Sequence, residues 1–190
     1  MRRYVVTGAP GAGKTSVLRE LRAQGFAVTD EAATDVIARE QQRGVAEPWR
    51  DEGFLTLITQ LQRDRLAADG LVAGVELHDR SVLCTLALAR FLGYPVPPEL
   101  AAEAERVVRE QVFERAVFLV RPLGFIEATA ARRISYADSL VFEEVHEAVY
   151  AEHGFELIEV PPALVAERAA IIAGHIAARQ RRQDQPGAAG

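Results

Sequence analysis

The segment Gly8-Ala9-Pro10-Gly11-Ala12-Gly13-Lys14-Thr15 decides the interpretation of this sequence, because it matches the pattern G-x-x-x-x-G-K-[ST] at every fixed position. Residues 3–7 before it predict a short buried strand. Residues 14–24 after it predict a helix with its apolar side chains on one face. A glycine-rich loop that joins a strand to a helix is the setting in which this pattern binds phosphate groups.

The residue types of this segment, the phosphate loop, indicate how it would bind a nucleotide. Its glycines let backbone N–H groups turn toward an anion, and the following helix adds its free N-terminal N–H groups. We expect Lys14 to reach the β and γ phosphates and Thr15 to supply a hydroxyl to Mg²⁺. The predicted ligands are therefore ATP and Mg²⁺. The residues predicted to bind the nucleotide are Gly8, Pro10, Gly11, Ala12, Gly13, Lys14, Thr15 and Ser16.

Length, charge and cysteine content restrict the class of protein. The chain has 190 residues and a net charge of −5, which favours one domain and argues against a nucleic-acid partner. The single cysteine, Cys84, excludes an internal disulfide and is expected in the core. No apolar run is long enough to span a bilayer, and no leader is expected before the first strand, so we predict a cytoplasmic protein.

Strand-like and helical segments alternate along the chain. This alternation predicts an α/β fold with a five-stranded parallel sheet and helices on both faces, in a single domain over residues 1–182. Residues 183–190 are predicted to form a flexible tail. The predicted strands are 3–7, 26–29, 71–77, 116–120 and 155–160, and the predicted helices are 14–24, 32–43, 51–68, 82–92, 98–110, 127–133, 139–153 and 163–182.

Ligands of such sheets bind at the carboxyl ends of the strands. Asp79 ends the third strand, where an acidic residue can hold Mg²⁺ directly or through water. Arg80 can pair with a phosphate or a carboxylate, although both residues can equally be surface charges at a strand end. Glu76, inside the strand, is expected to make a structural polar contact, and the Glu143-Glu144 pair to lie on a solvated helix face.

Asp30 and Glu31 end the second strand, which we expect to lie beside the first. A carboxylate at this position can take a proton from an attacking hydroxyl, or it can simply stabilise a helix N-terminus. Trp49 is a weak candidate for stacking on a substrate ring.

Residues 121–138 contain a candidate lid. Arg132 and Arg133 lie in the short predicted helix 127–133, and arginines in such a segment can close over a triphosphate. A solvated helical face is the alternative, and Arg121 is a further candidate from the end of the fourth strand.

The order of these motifs resembles the P-loop kinase branch, which includes nucleoside, nucleotide and nicotinamide riboside kinases. It is most similar to the NadR-like AAA-domain family of small predicted ATPases, over about residues 1–178. The motifs that carry the resemblance are Thr7–Thr15, Asp30-Glu31-Ala32-Ala33, Pro48-Trp49, Asp79-Arg80, Val160-Pro161-Pro162 and Glu167-Arg168.

The resemblance implies a P-loop NTPase three-layer sandwich and several roles. Glu31 corresponds to the carboxylate that deoxynucleoside kinases use as a base, and Asp79-Arg80-Ser81 is similar to their Glu-Arg-Ser and to the Asp-Arg of thymidylate kinases. Pro161 lies where kinases of this branch pack the nucleotide base. Arg132-Arg133 is a sparser arginine lid than that of the deoxynucleoside kinases. The guanine-binding pattern Asn-Lys-x-Asp is missing, so a Ras-like GTPase is not expected.

Two functions of different classes fit the sequence. The first is a small-molecule kinase that transfers the γ-phosphate of ATP to a nucleoside, a nucleotide or a similar metabolite. The second is an ATPase or nucleotide-dependent switch that acts through a protein partner. A nucleotide-binding module without turnover is the least favoured interpretation. The sequence leaves open the identity of the acceptor, the choice between ATP and GTP, and the oligomeric state.

Overall fold

The computed structural model describes residues 2–68, 74–124 and 134–184. Within these residues, five strands form one parallel sheet: β1 Arg2–Thr7, β2 Ala27–Thr29, β3 Val75–Asp79, β4 Ala116–Val120 and β5 Glu156–Val160. The α-helices are α1 Lys14–Ala23, α2 Ala32–Gln42, α3 Gly53–Ala68, α4 Val82–Leu92, α5 Pro98–Arg109, α6 Tyr136–Glu152 and α7 Val165–Asp184, and Pro48–Arg50 forms one 3₁₀ turn.

The sheet order is β2-β3-β1-β4-β5, with every neighbouring pair parallel. This order confirms the predicted α/β class and the five-stranded parallel sheet. The expectation that β2 lies beside β1 is wrong, because β3 lies between them. The reason is burial: β3 is buried along most of its length, whereas the short β2 is partly exposed and takes the edge position.

Alternate residues of β1 face two separate helical layers, as the two-residue period of a strand requires. Tyr4 and Val6 pack in a core cluster with α1 and α7, whereas Val5 packs in a cluster with α4, α5 and α6. A third, smaller cluster joins α2 to α3. The sheet is therefore covered on both faces, and its apolar strands form the centre of both main clusters.

Most predicted boundaries agree with the structure within a few residues, and hydrogen bonds explain several of them. Ser81 caps α4 as expected, since its hydroxyl accepts a hydrogen bond from the N–H of Leu83. Helix α6 begins earlier than predicted because Ser135 caps it in the same way through Asp138. Helix α7 continues to Asp184, so the predicted tail begins no earlier than residue 185. The predicted helix 127–133 lies outside the described residues.

This topology positions the site. The chain leaves the central strand β1 directly into the phosphate loop, and the neighbouring β3 ends with Asp79 at the same edge of the sheet. In the described part of the chain, no helix combines the length and the apolar character needed to cross a membrane.

Candidate active site

The phosphate loop has a backbone that its glycines make possible. Gly8 has a φ of 135°, and a Cβ atom on it would lie 2.3 Å from the carbonyl oxygen of Val120, so no other residue fits without a shift. Gly13 precedes the first residue of α1 and has a left-handed φ of 86°. Ala9 and Ala12 are fully buried, while Thr15 and Ser16 are exposed on the first turn of α1. The loop is thus anchored in the core and open at the helix N-terminus.

Lys14 lies inside the loop, and only 7% of it is exposed. Its Nζ donates hydrogen bonds to the carbonyl oxygens of Gly8 at 3.0 Å and Ala9 at 2.9 Å. Burial and the nearby cation of Arg80 together lower the pKa of Lys14 to about 8, against the opposing effect of Asp79. The ammonium group is therefore short of negative charge, which a phosphate at this position would supply.

Arg80 connects three parts of the site. Its Nε lies 2.7 Å from Glu31 Oε1, its Nη2 donates to the carbonyl oxygen of Gly8 at 3.1 Å, and its Nη1 lies 2.8 Å from Nε2 of His146. The backbone of Arg80 is left-handed, with a φ of 71°, and its N–H donates to the carbonyl oxygen of Val6. Burial alone would lower its pKa, but the Glu31 carboxylate and other neighbours raise the pKa above its ordinary value.

Glu31 and Asp30 point in different directions. The Glu31 carboxylate faces Arg80 and also accepts a hydrogen bond from the hydroxyl of Thr34. Burial raises the pKa of Glu31, but Arg80 and Lys14 outweigh this effect and lower it below its ordinary value. Asp30 is 67% exposed and pairs with Arg22 away from the loop. Of the two candidate bases, only Glu31 contacts a residue of the site.

Asp79 ends β3 beside the loop and is 7% exposed. Its Oδ1 is buried and has no hydrogen-bond partner among the described residues. Burial and the charge of Glu31 raise the pKa of Asp79 to about 6, against the opposing effects of Lys14 and Arg80. Asp79 therefore presents an unpaired acceptor oxygen, and a cation bound nearby would lower its raised pKa and favour its ionised form.

A cavity of about 740 Å³ begins at the phosphate loop and continues past Glu31 and Arg80 into a chamber between α2, α3, α4 and α6. The chamber is mostly apolar. Its residues are Ile37, Trp49, Phe54, Ile58, Gln62, Cys84, Thr85, Leu88, Phe91, Leu92, Leu123, Ile134, Asp138 and Phe142. Trp49, the candidate for stacking on a substrate ring, is among these lining residues. The apolar side chains could not be assigned from the sequence, because a cavity wall and a core have the same helical period.

Glu143 corrects one expectation from the sequence. It is buried rather than solvated: its Oε2 accepts a hydrogen bond from the N–H of Ala9 at 2.9 Å, and its Oε1 accepts one from Arg121 at 2.9 Å. Glu144, its neighbour, is exposed as predicted. Arg121 is also bound to Glu147 and Glu159, so its guanidinium is fully engaged by carboxylates of α6 and β5.

Arg168 contacts the phosphate loop from α7, which packs on the face of the sheet opposite to α6. This residue of α7 is 1% exposed and donates to the carbonyl oxygens of Ala12 at 2.8 Å and Arg121 at 2.7 Å. In the sequence, Arg168 is only part of one motif that carries the family resemblance, and no contact or role is predicted for it. Pro161 is exposed after β5 and is not among the cavity-lining residues. Arg132 and Arg133 lie outside the described residues.

The strand–loop–helix arrangement at the centre of a parallel sheet, with Lys14 enclosed by the loop, defines a P-loop NTPase. Among such proteins, the chain belongs to the family described as AAA domain, whose sequence model matches residues 3–168.

Solved structures of a deoxyadenosine kinase and of NadR protein share this fold. Deoxyadenosine kinase from M. mycoides, solved with the products dCMP and a flexible dCDP, is 14% identical with a TM-score of 0.63, and the match covers 93% of this chain and 99% of that one. NadR protein in complex with NAD and AMP-PNP is 18% identical with a TM-score of 0.64, covering 92% of this chain and 49% of that one. The chain therefore spans about half the length of NadR. These similarities confirm the predicted relationship to the nucleoside and nucleotide kinase fold.

Proposed function

We propose that the protein is a kinase that transfers the γ-phosphate of ATP to a nucleoside, a nucleotide or a similar small metabolite. The observation that carries this proposal is the continuity of the 740 Å³ cavity, which joins the phosphate loop to an apolar chamber past Glu31. Hydrolysis needs room for a triphosphate and one water molecule. A cavity that continues from the phosphate loop into an apolar chamber suits a second organic substrate beside the nucleotide.

In this proposal the phosphate loop binds the triphosphate through its backbone N–H groups and the N-terminus of α1. The Nζ of Lys14 exchanges the carbonyl oxygens of Gly8 and Ala9 for the β and γ phosphates. Because burial holds the pKa of free Lys14 at about 8, a bound anion raises that pKa again and keeps the ammonium group charged.

Magnesium fits the residues at the edge of the loop. Asp79 offers an unpaired buried carboxylate oxygen and Thr15 an exposed hydroxyl, and both are the oxygen ligands that Mg²⁺ prefers. When bound, Mg²⁺ neutralises charge on the β and γ phosphates. We assign Thr15 and Asp79 to this role, directly or through water.

Glu31 is the proposed base. Its carboxylate lies beside Arg80 with a lowered pKa, so it is ionised at neutral pH and can accept the proton of an acceptor hydroxyl. Arg80 orients Glu31 and has further N–H groups for the acceptor or the transferring phosphate. Arg132 and Arg133, in the proposed lid 121–138, would close over the γ-phosphate. Pro161 is retained only as a proposed contact for the adenine ring.

The names of the structural relatives support a kinase, since one is a deoxyadenosine kinase and another was solved with AMP-PNP. The alternative is an ATPase or switch that uses the same loop and acts through a protein partner. The proposed reaction uses cytoplasmic ATP and involves no nucleic acid. The net charge of −5 supports the absence of a nucleic-acid partner.

The test is to incubate the protein with MgATP and a panel of nucleosides, nucleotides and related metabolites, and to follow ADP, free phosphate and phosphorylated acceptor. A kinase forms ADP and phosphorylated acceptor in equal amounts, with no free phosphate. Release of ADP and phosphate without any acceptor would instead establish the ATPase. Lys14→Ala is expected to abolish turnover, and Glu31→Gln to slow transfer roughly 100-fold or more with little loss of ATP binding.

A further inference from the structure

His146 is a completely buried residue of α6 that the sequence did not single out. One ring nitrogen, Nε2, lies 2.8 Å from Nη1 of Arg80. The other, Nδ1, lies 2.7 Å from the carbonyl oxygen of Phe142, one turn earlier in the same helix. The ring also packs on the Phe142 ring, at 4.2 Å between centroids.

These two partners determine the protonation state of the imidazole. A carbonyl oxygen only accepts hydrogen bonds, so Nδ1 carries a proton and donates it to Phe142. A guanidinium only donates, so Nε2 carries no proton and accepts from Arg80. Burial lowers the pKa of His146 well below its ordinary value, and the cations Arg80 and Lys14 lower it further. His146 is therefore a neutral imidazole with its proton on Nδ1.

The guanidinium of Arg80 lies 5.8 Å from the centroid of the Phe142 ring. It is also held by Glu31 just before α2, by the carbonyl oxygen of Gly8 in the phosphate loop, and by His146 from α6. The Glu31 side chain is 29% exposed and the Gly8 contact is the longest of the three. His146 is fully buried, so water does not compete for its contact with Nη1 as it can for the contact with Glu31.

We propose that His146 is a positioning residue for phosphoryl transfer: its unprotonated Nε2 holds Arg80, and through Arg80 holds the Glu31 carboxylate toward the phosphate loop. The expected effect of His146 on phosphoryl transfer rests on the proposed kinase function. The positioning of Arg80 by His146 is a property of the protein without bound substrates. A neutral acceptor suits this position because a carboxylate would compete with Glu31 for Arg80 and a cation would repel it.

Two variants separate positioning from packing. His146→Leu keeps an apolar side chain of similar volume but removes the acceptor, whereas His146→Gln places an amide oxygen near the position of Nε2. In the wild type, we expect ¹⁵N NMR to show a protonated Nδ1 and an unprotonated Nε2 for His146. We also expect a slowly exchanging Nη1–H resonance for Arg80, the group that donates to His146, assigned by its loss in Arg80→Lys. That resonance should be lost in His146→Leu and retained in His146→Gln.

In turnover assays, His146→Leu should lower kcat roughly 10- to 100-fold while the KM for ATP changes less than about threefold, and His146→Gln should recover most of the rate. A purely structural role would instead lower thermal stability in both variants, and it would not lower kcat selectively while the KM for ATP stays nearly constant. An Arg80 resonance that persists in His146→Leu, or a His146 proton on Nε2, would overturn the proposal. If the wild type transfers no phosphate, the kinase proposal fails, while the NMR measurements still decide the role of His146.

Discussion

The carboxylate of Glu143 accepts a hydrogen bond from the backbone N–H of Ala9, 134 residues earlier in the chain, at 2.9 Å. The contact ties helix α6 to the second residue of the phosphate loop. It satisfies a buried N–H group that would otherwise lack a partner, and such a group costs about 1–3 kcal/mol when left unpaired.

The first prediction concerns this contact. Glu143→Ala is expected to weaken MgATP binding roughly tenfold, because the loop loses the group that fixes Ala9. Isothermal titration calorimetry measures the effect. Glu144→Ala is the matched control, since Glu144 is exposed on the same helix. Equal affinities for the two variants would contradict a role of Glu143 in shaping the loop.

The second prediction concerns the fit of Gly8. Gly8→Ala places a Cβ atom 2.3 Å from the carbonyl oxygen of Val120 and is expected to destabilise the fold by about 3 kcal/mol. Gly25→Ala is the control, because Gly25 also has a positive φ, of 96°, but has nothing within 4 Å of the added atom. Backbone strain alone should cost that variant only about 1 kcal/mol. Urea unfolding of both proteins compares them, and equal losses would argue against the steric explanation.

The third prediction uses Trp49, the single tryptophan of the chain. Because Trp49 lines the apolar chamber, a bound acceptor should change its fluorescence, and a titration then gives the acceptor affinity directly. ATP alone, bound at the phosphate loop, should produce a smaller change. The substitution Trp49→Phe should remove the signal and raise the KM for the acceptor without changing the KM for ATP. A fluorescence change with ATP but with none of the acceptors would contradict the assignment of the chamber.

The fourth prediction concerns pH and Glu76. This buried carboxylate lies 3.2 Å from Arg3 and 3.1 Å from His78, and accepts a hydrogen bond from Thr29. Burial raises its pKa, but the nearby His78 and hydrogen bonds from Thr29 and Arg3 together lower the pKa to about 2.

A lowered pKa means that the unfolded chain binds the proton of Glu76 more readily than the folded protein does. The stabilisation is therefore present above about pH 4.5, amounts to about 3 kcal/mol at most, and is lost as the pH falls toward 2. Chemical unfolding of the wild type and Glu76→Gln at pH 7 and pH 3 measures it. The variant should be less stable at pH 7, and at pH 3 the difference should fall to roughly half of that value or less. A constant difference at both values would show that Glu76 stabilises the fold through packing rather than through its charge.

The parts of the molecule that could be predicted from the sequence are those encoded locally. The continuous apolar run Ala116–Val120 is a fully buried parallel strand because both of its faces are covered. The phosphate loop is equally local, since its glycines, lysine and threonine are consecutive. Glu31 could be preferred over Asp30 only through a family resemblance, and the structure supplies the physical distinction between the two carboxylates.

The features that could not be predicted depend on distant partners. Glu143 looks like any charged residue on a solvated helix until β1 and α6 are packed together. His146 similarly gives no signal, because its partner Arg80 lies 66 residues away. The wrong placement of β2 beside β1 has the same origin, since strand order depends on which strand buries both faces.

Arg168 joins two parts of the chain that are 156 residues apart, by donating to the carbonyl oxygen of Ala12. During synthesis the phosphate loop is made well before the helix α7 that carries this guanidinium. A nascent chain that stops before Arg168 has the full nucleotide-binding motif and lacks a main support for it. The final conformation of the phosphate loop is thus coupled to the formation of α7.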